Sequence, residues 1–162
     1  MKALIILLCL TTSCSLTSSK YSSQNPDFYW SILENATEQK WTKSQVLKML
    51  GPPDEKHKHT EREEAISWFY SNRKNNFQEW VFSFDSDGIV EGVSYFPNDL
   101  MISSFSIEKI MTRWQSLNCQ HKVKQVLKSH VIKKEKSLSC DNNKRTANYN
   151  RYNEVEYISV RK

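Results

Sequence analysis

Glycine is scarce, with 3 in 162 residues, and the scarcity excludes a class of chemistry. Neither GxGxxG nor GxxxxGK[ST] occurs, so the chain has no glycine loop to cradle a nucleotide phosphate. GxSxG and HExxH are absent too, which removes the usual hydrolase and zinc-peptidase signatures. No run of about 20 apolar residues exists, the length a membrane-crossing helix needs. The chain is also short of the roughly 250 residues of a catalytic α/β barrel. It does have 5 Trp, 7 Tyr and 7 Phe, enough rings to fill a small core at roughly 150–250 Å² buried by each.

Charge is unevenly placed. Residues 1–101 carry 10 Lys+Arg and 13 Asp+Glu, whereas residues 102–162 carry 13 and 5. The basic balance therefore belongs to the C-terminal part, as a patch rather than a uniform field. Its densest cluster is Lys122, Lys124, Lys128, Lys133, Lys134 and Lys136. Such a cluster is either a solvated strand or helix face or a contact for anionic headgroups, lipopolysaccharide phosphates or an acidic partner.

The N-terminus reads Met1-Lys2, an apolar run Ala3 to Leu10, then Thr11-Thr12-Ser13-Cys14. A cation, a short apolar core and small residues make an export signal. The cysteine after them resembles a bacterial lipoprotein lipobox. That resemblance implies a signal over 1–13 and acylation at Cys14. With Ser15 following, it implies an outer-membrane address facing the periplasm. Residues 14–27, rich in Ser and Thr, read as a lipidated N-terminus and tether. Cys9 and Cys14 fall in this region, which leaves Cys119 and Cys140; in an oxidising compartment these two pair. The bridge closes a loop of about 20 residues, contributing about 3 kcal/mol.

Phe28 to Lys40 reads as a helix. A second runs over about 42–50, with Thr42 and Gln45 at capping-box spacing and Gly51-Pro52-Pro53 ending it. His57 to Glu64 reads as a charged loop. Strands are expected over Ala65–Ser71, Glu79–Phe84 and Ile89–Phe96, joined by Asn72–Asn76 and by the hairpin turn Asp85-Ser86-Asp87-Gly88. Ile66/Trp68/Tyr70 and Trp80/Phe82/Phe84 alternate, so one face packs under the helices. Trp68, Tyr70, Trp80, Phe82 and Tyr95 are core candidates, with a surplus ring free to anchor a partner. Beyond Pro97, Ser106 caps a helix to about Leu117. Val123, Val126, Leu127 and Val131 fit helix or strand equally. Lys133–Cys140 and Glu154–Val160 read as strands around a polar, Asn-rich stretch, either extending the first sheet or forming a disulfide-tied appendage.

The run Trp41 to Pro53 (WTKSQVLKMLGPP), followed by Ile66–Tyr70, Trp80–Phe84 and Asp85–Val90, resembles the SmpA/OmlA family of BamE-like outer-membrane lipoproteins. The resemblance spans about residues 28–97 and leaves 98–162 as a basic C-terminal extension. It implies an α+β fold: two N-terminal helices on a three-stranded antiparallel sheet, with a C-terminal helix and strands tied by the disulfide. It implies a non-enzymatic accessory role in β-barrel protein or envelope assembly, with outer-membrane assembly proteins as partners. Related exported inhibitor-like folds suggest an alternative, a periplasmic inhibitor or a binder of cell-wall or anionic ligands.

Other constellations carry little. His57-Lys58-His59 with Glu61, Glu63 and Glu64 is interleaved with cations that oppose a metal ion. Asp85-Ser86-Asp87-Gly88 lacks the later acidic positions of a calcium loop. Pairing those glutamates with Glu79 or Asp85 for glycoside chemistry needs a cleft. The expectation is no catalytic residue, no metal, no cofactor and no nucleic acid. The sheet edge and the loop around His57 are the candidate contact surfaces.

Overall fold

A computed structural model describes residues 26–59, 62–71, 79–97, 102–128 and 131–162. Helices α1 (Pro26–Glu38) and α2 (Lys43–Leu50) precede strands β1 (Glu55–His59), β2 (Arg62–Ser71), β3 (Glu79–Phe84) and β4 (Val90–Phe96). A 3-10 turn (Ile102–Phe105) and helix α3 (Ile107–Arg113) lead into β5 (Cys119–Lys128), β6 (Val131–Cys140), β7 (Arg145–Tyr149) and β8 (Val155–Arg161). The strands form one 8-stranded antiparallel sheet in the order β1-β2-β3-β4-β8-β7-β6-β5. Among the described residues no helix is long and apolar enough to cross a membrane.

This corrects the expected two helices on a three-stranded sheet, and of the two arrangements left open for the C-terminal strands it is the extension of the first sheet that occurs. Much of the segment 57–64, expected as a loop, is strand: Lys56 pairs with Trp68 and Lys58 with Ile66. An outermost strand tolerates charge because one flank meets water, and the Lys56 ammonium sits 5.1 Å from the Trp68 ring centroid. The undecided stretch around Val123 is β5, and β7 lies in the Asn-rich segment, whose polar residues hid it. The C-terminal strands continue the first sheet through β4 and β8, where Val93 pairs with Val160 and Ser94 with Ser159. Helix α3 stops at Arg113, short of Leu117.

The same local geometry is built twice. Asp85 Oδ1 accepts the N–H of Asp87 at 3.1 Å and of Ile89 at 2.8 Å. Asn150 Oδ1 accepts those of Tyr152 at 2.8 Å and Glu154 at 3.1 Å. Gly88 (φ 75°) and Asn153 (φ 64°) occupy the same position in these turns, a backbone region that Gly and Asn enter at least cost. A bulge follows each turn: Ser83 pairs with Gly92 and Phe84 with Val90, and Asn148 pairs with Tyr157 and Tyr149 with Val155. Glu91 and Glu156 are the extra residues. Thr42 caps α2, accepting from the Gln45 N–H at 3.3 Å, as Ser106 caps α3 from Lys109 at 3.5 Å. The Lys43 N–H donates to the Gly88 carbonyl at 3.1 Å and the Ile107 N–H to that of Asn153 at 3.4 Å. The units α2–β4 and α3–β8 thus repeat one design and meet at Ser94 and Ser159, whose hydroxyls lie 3.3 Å apart and which stand 65 residues apart in sequence.

The helices cover one face. Helix α1 rests on β4 and β8 and so spans the junction. Its Tyr29 stacks on Trp80 at 5.8 Å and on Tyr95 at 5.2 Å. Trp68, Tyr70, Trp80, Phe82 and Tyr95 are all buried. Helix α1 also carries acids toward the basic second unit. Glu34 takes a bidentate contact from Arg113 at 2.9 and 2.7 Å, and this hydrogen bonding raises the Arg113 pKa. Arg145 reaches Glu38 at 2.6 Å. Part of the C-terminal positive charge is therefore neutralised within the fold.

Candidate functional site: the uncovered sheet face and the basic arm

Side chains alternate across a strand, so the face opposite the helices carries the residues between the core ones. Ser94, Ser159, Thr146, Ser139 and Gln120 stand directly opposite one another across five strands. Ser67 and Ser83 continue the hydroxyl floor, with their oxygens 3.4 Å apart. Ser67, Ser139 and Ser159 are buried although no described helix covers them, because short side chains sink between taller neighbours. Two half-exposed aromatic groups rise from this floor. The Phe96 and Tyr157 centroids lie 5.5 Å apart, and His57 meets Phe69 edge-on at 4.8 Å. Arg161 lies over Gly92, its Cγ 3.4 Å from where a Cβ would stand. Sequence reasoning passed over this face. Its signal was the serine set between apolar residues, and the echo of Val90-Glu91-Gly92-Val93-Ser94 in Val155-Glu156-Tyr157-Ile158-Ser159.

The six lysines lie on the β5–β6 hairpin. Cys119 and Cys140 form a disulfide at its base, where they are register partners with Cα atoms 4.0 Å apart. Strand β7 pairs with β6 only over Lys136–Cys140, so the rest of the hairpin is a two-stranded arm. Lys122 donates to Asn143 at 2.8 Å, Lys136 sits 5.8 Å from the Tyr149 ring centroid, and Lys124 and Lys134 are exposed. Lys128 and Lys133 lie farther along the arm.

Where the arm passes the β7–β8 turn, a groove of about 550 Å³ is lined by Lys134, Glu135, Tyr149, Arg151, Tyr152 and Glu156. Burial raises the Tyr149 pKa, and its phenol oxygen lies 2.9 Å from His121 Nδ1.

The remaining constellations separate. Asp85 Oδ1 is engaged by its own turn. His57 lies 3.2 Å from Glu55, and no three metal-ligating side chains converge among the described residues. Cys14, the 14–27 tether up to residue 25, Glu61 and the Asn72–Asn76 connector lie outside the described residues.

No family model matches this chain, and no curated protein does. A solved structure does: a DUF4309 family protein (YjgB) from Bacillus subtilis, at TM-score 0.50 and 13% identity, over 85% of this chain and 97% of that one. That likeness concerns the fold alone. It overturns the SmpA/OmlA resemblance, which rested on the capped helix, three strands and one turn of the first unit. The matched fold runs through the segment that resemblance left without a counterpart.

Proposed function

We propose that this chain is an exported, lipid-anchored, non-enzymatic module that docks another envelope protein on the uncovered face of its sheet. The observation that carries the reading is the hydroxyl floor with Phe96/Tyr157 and His57/Phe69 standing on it. Aromatic anchors among small, flat neighbours are how protein interfaces concentrate binding energy. Among the described residues the helices lie on one side of the sheet only, which leaves Phe96, Tyr157, His57 and Phe69 at least partly exposed above that floor. Cys14 supplies the anchor and residues 15–25 the reach to hold the domain off the outer membrane's periplasmic surface.

The test is photocrosslinking in living cells. A photoreactive residue at position 96 or 157 should give a crosslink to one discrete protein. The same residue at Met111, exposed on α3, should not. Equal crosslinking from both faces, or none from the sheet, defeats the reading. Cys14→Ser should release the protein from the membrane fraction; unchanged fractionation removes the anchor.

A further inference from the structure

The two ends of the sheet differ in a way that names a second contact. Strand β1 is 5 residues long, and its pairing shifts between Lys58 and His59. A short, irregular outer strand is how proteins blunt a sheet edge. Strand β5 is 10 residues long and pairs with β6 without a bulge from Cys119↔Cys140 to Lys128↔Val131. Among the described residues it has a strand neighbour on one side only. The disulfide fixes its register at the base. Beyond Lys136 the arm has two strands, one fewer than a ribbon needs to be stable by itself.

Charge selects what can complete it. Between Cys119 and Cys140 the hairpin holds six lysines against one acid, Glu135. A second copy of β5 would set lysine against lysine, which is destabilising across strands, so the edge excludes itself. An extended segment carrying Asp or Glu at alternate positions would meet Lys122 and Lys124 while its backbone takes up the free ladder. We infer that β5 is a strand-addition site for an acidic, extended segment of a protein partner. This rests on the reading of the chain as a protein-docking module and adds a contact separate from the open face.

The probe is a labelled peptide of about eight residues alternating Glu and Val, long enough for one strand. The control has equal charge but alternating proline, which cannot donate to a ladder. The full mature chain should bind the first peptide and slow hydrogen exchange at β5 amides, leaving β1 amides unchanged. The proline peptide should bind at least about tenfold more weakly. Lys122→Glu with Lys124→Glu should weaken binding about tenfold. Lys124→Gln alone should give part of that loss; it spares the Lys122–Asn143 contact and sets no like charge against Glu135, the register partner of Lys124, so a folding defect is separated from a charge effect. Equal binding of the two peptides, or unprotected β5 amides in the bound state, overturns the inference. So does binding to phosphatidylglycerol vesicles with none to the peptide. The crosslinks at positions 96 and 157 do not involve β5, so they stand or fall independently.

Discussion

The two units share a turn, a bulge and a capped helix but are held together by different means. In the first, Trp80, Phe82 and Phe84 of β3 pack with Trp68 and Tyr70 of β2, all buried. At the same ladder positions the second unit has Arg145, Ala147 and Tyr149 on β7, with Leu138 and Cys140 on β6. Four of the five rings are replaced, by Leu138, Cys140, Ala147 and the salt-bridged Arg145, and only Tyr149 keeps a ring. The hairpin base changes correspondingly. In the first unit Asp54 holds it, its N–H donating to the Phe69 carbonyl at 2.9 Å and its carboxylate accepting from the Ser71 N–H at 2.6 Å. In the second the disulfide does. A unit that buries less apolar area uses a crosslink in its place.

Core truncation should separate the units most. Phe82→Ala is expected to cost about 3–5 kcal/mol, and Leu138→Ala, at the lower end of its class, about 2–3 kcal/mol. Chemical denaturation of the two variants measures both. A larger loss at Leu138 would break the comparison, because the second core would then be the better filled one.

Next in size is the bridge. Cys119→Ala with Cys140→Ala should cost about 3 kcal/mol, and its mark should be local. Amide exchange is expected to quicken in β5 and β6 while β2 and β3 keep their protection. Uniform loss across the sheet would mean the eight strands open as one.

Capping gives a smaller difference. Thr42 and Gln45 form a reciprocal box, whereas Ser106 contributes one bond at 3.5 Å. Thr42→Ala should cost about 1 kcal/mol and Ser106→Ala about 0.5 kcal/mol, readable as shifts in the denaturation midpoint.

The sequence shows why the first unit was the legible one. Its core positions are mostly aromatic, so a period of two stands out in Ile66/Trp68/Tyr70 and Trp80/Phe82/Phe84, and Gly88 marks its turn. The second unit puts Asn153 where Gly88 stands and Ala147 where Phe82 stands, so the same structure is written in residues that read as an Asn-rich loop. Strand β1 hid for a different reason. Lys-His-Lys-His holds no apolar residue to set a period, and only its pairing with Ile66 and Trp68 makes it a strand. The disulfide was legible because Cys119 and Cys140 are the two cysteines that remain once Cys9 and Cys14 are read as part of an export signal. The face opposite the helices was not, because its signal, serines set between apolar residues, gains meaning only once pairing lines Ser94, Ser159, Thr146 and Ser139 up across the strands.

The smallest expected effect is at Tyr95, set against Tyr149. Tyr95 is fully buried and its Oη has no hydrogen-bond partner among the described residues. Its pKa is raised, chiefly by burial and then by Tyr29. The folded state thus favours the neutral phenol. Stability is intact below the unfolded value, about 10, and falls as pH rises past it toward the elevated folded value. Tyr95→Phe removes a desolvated hydroxyl without removing a bond, so it should leave stability unchanged or raise it by up to about 1 kcal/mol. It should also flatten the decline above pH of about 10. Tyr149→Phe removes the contact with His121 and should cost about 1 kcal/mol at neutral pH. Denaturation of both variants at neutral and alkaline pH decides the matter. A loss from Tyr95→Phe as large as that from Tyr149→Phe would show that the Tyr95 hydroxyl is bonded after all, and the first unit's core would be less purely apolar than its rings suggest.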